Sequence, residues 1–158
     1  MGLCIIIRRL KMNKVIAVSA CLLGEKCRYD ASDNKNKILL EQLQGYEIIP
    51  FCPEDYAFGS PRPTMDLVRM SDGDKAISNL DASDLTITVN QYAIDFFDRH
   101  TNVNIFIGKD RSPSCGVCSA KLYDEKRELL SSSEAGLMAK EALKRNIHCM
   151  DSEDFKGL

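Results

Sequence analysis

The chain of 158 residues lacks a long apolar run; near the N-terminus the best it offers is LCIII, residues 3–7. A spanning helix needs about 20 such residues, so no membrane role is expected. LCIII is followed by RRLKMNK in place of a small-residue cleavage site, and the expected location is the cytoplasm. Charge of one sign is also missing: 21 Lys and Arg face 23 Asp and Glu, for a net charge of −2. Without a strong cluster of either sign, nucleic acid and acidic lipid are poor main partners. Histidine is scarce, with only His100 and His148, one at the end of an expected helix and one inside an expected strand. Both read as structural, which leaves a cysteine nucleophile without an obvious base. Repeats and low-complexity tracts are absent too, so a solenoid is excluded.

What is present is cysteine. There are seven, at positions 4, 21, 27, 52, 115, 118 and 149, an odd number in a chain long enough to bury a self-sufficient core. In a reducing compartment such a set points to metal binding or catalysis before disulfides. Cys4 and Cys149 sit in apolar, strand-like surroundings and read as small buried hydrophobes. Met12 precedes the first convincing strand, so residues 1–11 are expected to be an N-terminal extension and 12–158 a single domain.

Strands and helices are expected to alternate. KVIAVSA (14–20), YEIIPF (46–51) and NVNIFIG (102–108) are short, β-branched runs suited to buried parallel strands, with IHCM (147–150) as a last one. KNKILLEQLQ carries helical spacing and stops before Gly45; residues 84–99 repeat apolar side chains at helical intervals; SSSEAGLMAKEALKRN reads as a helix with serine caps and Glu134 in its first turn. The three prolines of CPEDYAFGSPRP predict irregular structure, and the Asp-Gly of DLVRMSDGDKAIS predicts a two-residue hairpin turn. The expected fold class is therefore α/β: three layers, a mostly parallel sheet with right-handed crossover helices, and a small hairpin excursion.

Such sheets bind ligands outside the carboxyl ends of their strands. Cys21 follows the first strand, Cys52 the second and Cys115 the third, so three thiols from distant positions are expected on one rim. A zinc site wants four ligands in short-spaced pairs, and only Cys115 and Cys118 have that spacing. An iron-sulfur cluster tolerates dispersed ligands, and three of them would leave one iron open. Two other readings stand beside it. One is a non-catalytic zinc- or cluster-binding module; the other is a thiol enzyme with Cys115 as nucleophile, its thiolate favoured by Lys109 and Arg111.

Five ordered blocks carry a resemblance: VSACLLGEKCRYD (18–30), CPE (52–54), PRP (61–63), DLT (84–86) and KDRSPSCG (109–116). Together they resemble the thiouracil desulfidase family, over nearly the whole chain from Met12 onward. After CPE the chain reads DYAFGS where the family usually has paired glycines. The resemblance implies an oxygen-sensitive [4Fe-4S] cluster with one iron not bound by cysteine, and non-redox, hydrolytic removal of sulfur from thiouracil or its nucleotide, releasing sulfide. Its ligands would be Cys21, Cys52 and Cys115, with Glu54 and Ser112 as the catalytic carboxylate and hydroxyl; Cys27 and Cys118 become spare thiols near the site. It implies a small thiolated pyrimidine as partner and iron-sulfur assembly machinery to load the cluster. Arg28, Arg62 and Arg111 offer forked donors for a substrate phosphate or ring oxygen, and Tyr29 a face for a pyrimidine; each equally suits a solvated or packing role. Likewise Glu54 could cap a turn and Ser112 close a Ser-Pro turn.

Overall fold

The computed structural model describes residues 13–157. The expected extension, 1–11, and Cys4 lie outside the described residues.

Four strands form a wholly parallel sheet: β1 (Val15–Ser19), β2 (Glu47–Phe51), β5 (Ile105–Gly108) and β8 (His148–Asp151), in the order β2-β1-β5-β8. The two central strands are buried at every residue, as their continuous apolar runs require. Pro50 is tolerated because β2 is an edge.

Helices cover both faces of this sheet, the expected three layers, and a second sheet adds a fourth. Alternate residues of β1 point to opposite sides. Ile16 and Val18 pack with Leu39 and Leu43 from the helix α1 (Lys37–Gln42) and its end, while Val15 and Ala17 pack with α3 (Thr86–Arg99) and α4 (Leu137–Lys144). Asn36 caps α1, its side chain accepting from the Leu39 N–H at 3.0 Å.

The hairpin excursion is half of a second sheet. β3 (Met65–Met70) and β4 (Gly73–Ser78) pair antiparallel, and β3 pairs in parallel with β6 (Ala120–Tyr123), which pairs with β7 (Leu129–Glu134). This sheet buries Leu67, Ala76 and Leu122 against Val89 of α3 and Leu137 of α4, so those helices lie between the two sheets.

Four local expectations are corrected. The hairpin turn is Ser71-Asp72, and Gly73 opens β4 at a φ of +124°. Residues 53–58 form a helix, α2 (Pro53–Phe58), because Pro53 stands at its first turn, where no N–H partner is lost. The serines at 131–133 lie in β7 and cap nothing; Gly136 precedes α4 without a side-chain cap. Both β6 and β7 escaped the apolar-run criterion, because β7 is an edge strand with mostly exposed residues. Among the described residues, no helix is long and apolar enough to cross a membrane.

Candidate functional site

A cavity of about 640 Å³ opens at the carboxyl end of the parallel sheet. β1 runs into a 3-10 turn, Ala20–Leu23, that carries Cys21; β2 delivers Cys52 to the start of α2; β5 delivers the loop bearing Ser112 and Cys115. β1 and β5 are neighbours from which the chain proceeds to opposite edges, so the cavity sits where strand order reverses. All nine expected site residues line it: Cys21, Cys52, Cys115, Glu54, Ser112, Arg28, Tyr29, Arg62 and Arg111. Cys27 lines it as well, whereas Cys118 is exposed and does not.

Backbone contacts hold the Cys115 loop in place. The Lys109 N–H donates to Ser19 Oγ at 2.9 Å, tying the ends of β5 and β1 together. Buried Asp151, at the end of β8, accepts from the N–H groups of Val117 (2.7 Å) and Cys118 (2.9 Å) and from the Ser119 hydroxyl (2.8 Å). Buried Asp110 accepts from the Ser152 hydroxyl and from the Glu153 N–H. Orphan N–H groups at the start of α4 bind the same loop: Leu137 to the Pro113 carbonyl at 3.1 Å and Met138 to the Ser114 carbonyl at 2.8 Å. Two glycines permit this closeness. A Cβ on Gly108 would lie 1.7 Å from the Cys115 carbonyl oxygen, and one on Gly136 would lie 2.5 Å from the Ser114 carbonyl carbon.

Glu54 is held from two sides. Its Oε2 accepts from the Ser114 hydroxyl at 2.5 Å, and its Oε1 lies 3.9 Å from Arg62 Nε. Ser112 Oγ accepts from the N–H groups of Cys115 (3.1 Å) and Ser114 (3.3 Å), closing the serine turn that its sequence allowed; with the Ser114 proton on Glu54, the Ser112 hydroxyl donates to Ser114 Oγ at 3.4 Å. The three arginines separate clearly. Arg62 is buried, its guanidinium anchored on the Gly59 carbonyl and Ser60 Oγ, while its Nε has no hydrogen-bond partner. Arg28 lies over the exposed Tyr29 ring, and Arg111 makes a surface ion pair with Glu153 at 3.3 Å.

The thiols differ in electrostatics. A hydrogen bond with Cys27 holds Cys21 below the ordinary thiol value, with the Lys109 ammonium a smaller contribution. The same bond pushes Cys27 up to about 12. Cys52 is raised, first by its bond with Cys27 and then by burial; its N–H donates to the Tyr92 hydroxyl at 3.3 Å. Cys115 is raised by burial and then by the negative charges of Cys52 and Glu54, the reverse of the thiolate expected from its basic neighbours. Burial lowers Lys109. Among the described residues, no three His, Cys, Asp or Glu side chains converge as ligands of a single ion.

Residues 16–154 match the model of the 2-thiouracil desulfurase family. The chain belongs to that family. No curated protein matches it. Among solved structures it is similar to the [4Fe-4S]-dependent thiouracil desulfidase TudS, with a TM-score of 0.69 and 23% identity over 90% of this chain and 93% of that one. That likeness establishes a shared fold.

Sequence reasoning missed Ser114, Ser19, Asp110 and Asp151. Ser114 was the one most open to discovery, since it stands inside the SPSCG block. Asp151 carried no local signal; its role arises from β8 lying beside β5.

Proposed function

We propose that this desulfurase-family protein removes sulfur from thiouracil or its nucleotide by hydrolysis, without net redox chemistry, using a [4Fe-4S] cluster held by Cys21, Cys52 and Cys115. The observation that carries the reading is the convergence of these three thiols, from the ends of β1, β2 and β5, on one cavity that also exposes Glu54 and Ser112. The donor set fits the group: thiolates are the usual ligands of iron-sulfur clusters, and each binds a different iron, so they need not meet at one point. When bound with one iron free of cysteine, the cluster supplies a thiophilic Lewis acid for the exocyclic sulfur.

The chain's own residues do the rest. Glu54 takes a proton from the attacking water; its Oε2 is occupied by Ser114, so Oε1 is the basic atom. Ser112, with two N–H groups fixed on its oxygen, turns its hydroxyl proton from Ser114 Oγ to the substrate ring or the developing tetrahedral centre. Arg62, with its unpaired Nε–H, donates to a ring oxygen of the substrate. Tyr29 supplies an aromatic wall, and Arg28 and Arg111 supply charge at the mouth for a substrate phosphate. The thiolated pyrimidine is thus a small-molecule partner, iron-sulfur assembly machinery loads the cluster, and the protein works in the cytoplasm.

Protein purified without oxygen is expected to contain iron and acid-labile sulfide in equal amounts and to release sulfide from thiouracil. Cys21→Ala, Cys52→Ala and Cys115→Ala each lose both properties. Zinc in place of iron, or a Cys115→Ala protein with a full cluster, overturns the assignment. Air-stable, metal-free activity trapped by alkylation of Cys115 would instead support a thiol enzyme, which the upward shift of that thiol disfavours.

A further inference from the structure

The reaction proposed above has no use for Cys27, yet this thiol is buried in the wall of the same cavity. It lies in one buried cluster with Cys21, Cys52 packs against that cluster, and the Cys52 thiol donates to the Cys27 carbonyl at 3.6 Å. Cys21 and Cys52 are ligands only while a cluster occupies them. In the cluster-free protein, both share the wall of one cavity with this third thiol.

We propose that Cys27 is a redox modification site: in the cluster-free protein it resolves an oxidised Cys21 or Cys52 into an intramolecular disulfide, with hydrogen peroxide as oxidant. The ligand thiol and peroxide give a sulfenic acid and one water; the Cys27 thiol then attacks the sulfenic sulfur, forming the S–S bond and releasing a second water. Two thiols lose two electrons and two protons, and peroxide becomes two molecules of water. Half-buried Cys52 and the open cavity give the oxidant access. The disulfide holds a ligand in reversible form, where a sulfenic acid left alone would proceed to irreversible sulfinic acid. Cluster insertion then requires prior reduction by a thiol. The disulfide rests on the packing of Cys27 with Cys21 and Cys52, whereas its effect on cluster insertion rests on the ligand assignment proposed above.

The full-length, cluster-free chain is exposed to hydrogen peroxide, alkylated, digested without reductant and mapped by mass spectrometry. The expected product links Cys27 to Cys21 or Cys52, leaves Cys115 alkylated, and disappears on treatment with dithiothreitol. In a parallel arm, oxidised protein is incubated anaerobically with ferrous iron and sulfide. Wild type is expected to take up less than a tenth of the iron bound by reduced protein, and dithiothreitol restores uptake. Cys27→Ser after the same oxidation accumulates sulfinic acid at Cys21 or Cys52, and dithiothreitol fails to restore its uptake. Recovery of Cys27 as a free alkylated thiol, or a disulfide that excludes it, overturns the proposal. A mapped Cys27 disulfide with undiminished iron uptake leaves the modification standing and overturns the ligand assignment.

Discussion

The Ser114 hydroxyl meets the Glu54 carboxylate at 2.5 Å, joining two residues 60 positions apart. The contact links the loop after β5 to the first turn of α2, and so fixes the carboxylate against the segment that carries Cys115. Glu54 has one oxygen committed to structure and one turned toward Arg62.

Ser114→Ala removes that anchor without touching substrate. Loss of a hydrogen bond to a charged group costs about 1.5–3 kcal/mol. Sulfide release from thiouracil is expected to fall in kcat by roughly 10-fold to 100-fold, with KM little changed and iron content preserved. A variant with wild-type kcat would remove Ser114 from the positioning of Glu54.

Gly136→Ala tests the clamp between α4 and the Cys115 loop. The added methyl would meet the Ser114 carbonyl carbon at 2.5 Å, a backbone atom that cannot swing aside. Destabilisation of about 1–3 kcal/mol is expected from such overpacking, read as a lower urea midpoint at unchanged m-value. Wild-type stability would mean that the loop shifts freely.

Asp151→Ala deprives three donors of one carboxylate, two of them backbone N–H groups. Leaving a buried donor unpaired costs about 1–3 kcal/mol, so the variant is expected to unfold at lower denaturant and to retain less iron after anaerobic loading. Asp151→Asn, which keeps one acceptor oxygen, falls between the two. Equal stability of Asp151→Ala and wild type would show that water satisfies these groups.

Asp84 gives a pH dependence of defined sign. Its carboxylate accepts from the Thr86 N–H at 2.9 Å at the start of α3, and its bonds to Thr86 hold the folded carboxyl below the ordinary range. Stabilisation by a depressed carboxyl is complete above its unfolded value of about 3.9 and is lost as pH falls through the lower folded value. Asp84→Ala is therefore expected to cost about 0.5–1 kcal/mol at neutral pH, a difference that closes in acid. A gap between variant and wild type that widens below pH 4 would contradict the assignment.

The position of the cavity was legible in the sequence because it is formed by loops at strand ends. Buried parallel strands announce themselves as apolar runs, and the residues just after each run must lie at the rim. Cys21, Cys52 and Cys115 were placed on that basis, Glu54 and Ser112 only by the resemblance of the blocks they belong to, and all five line the cavity. Segments that trade apolar runs for pairing partners stayed hidden. β7 is polar and exposed along an edge, and α2 is a helix of six residues that starts on a proline.

The sequence by itself determined the α/β class, the central strands and which residue types face the rim, since periodicity and turn chemistry act over a few neighbouring residues. Only the tertiary structure decided which side chains meet. Ser114 finds Glu54, Asp151 gathers the loop donors, Arg62 is buried while Arg111 faces solvent, and Cys27 lies against Cys21 and Cys52. Those contacts depend on the order of strands in the sheet and the packing of α4 on the loop, which no local stretch of chain encodes.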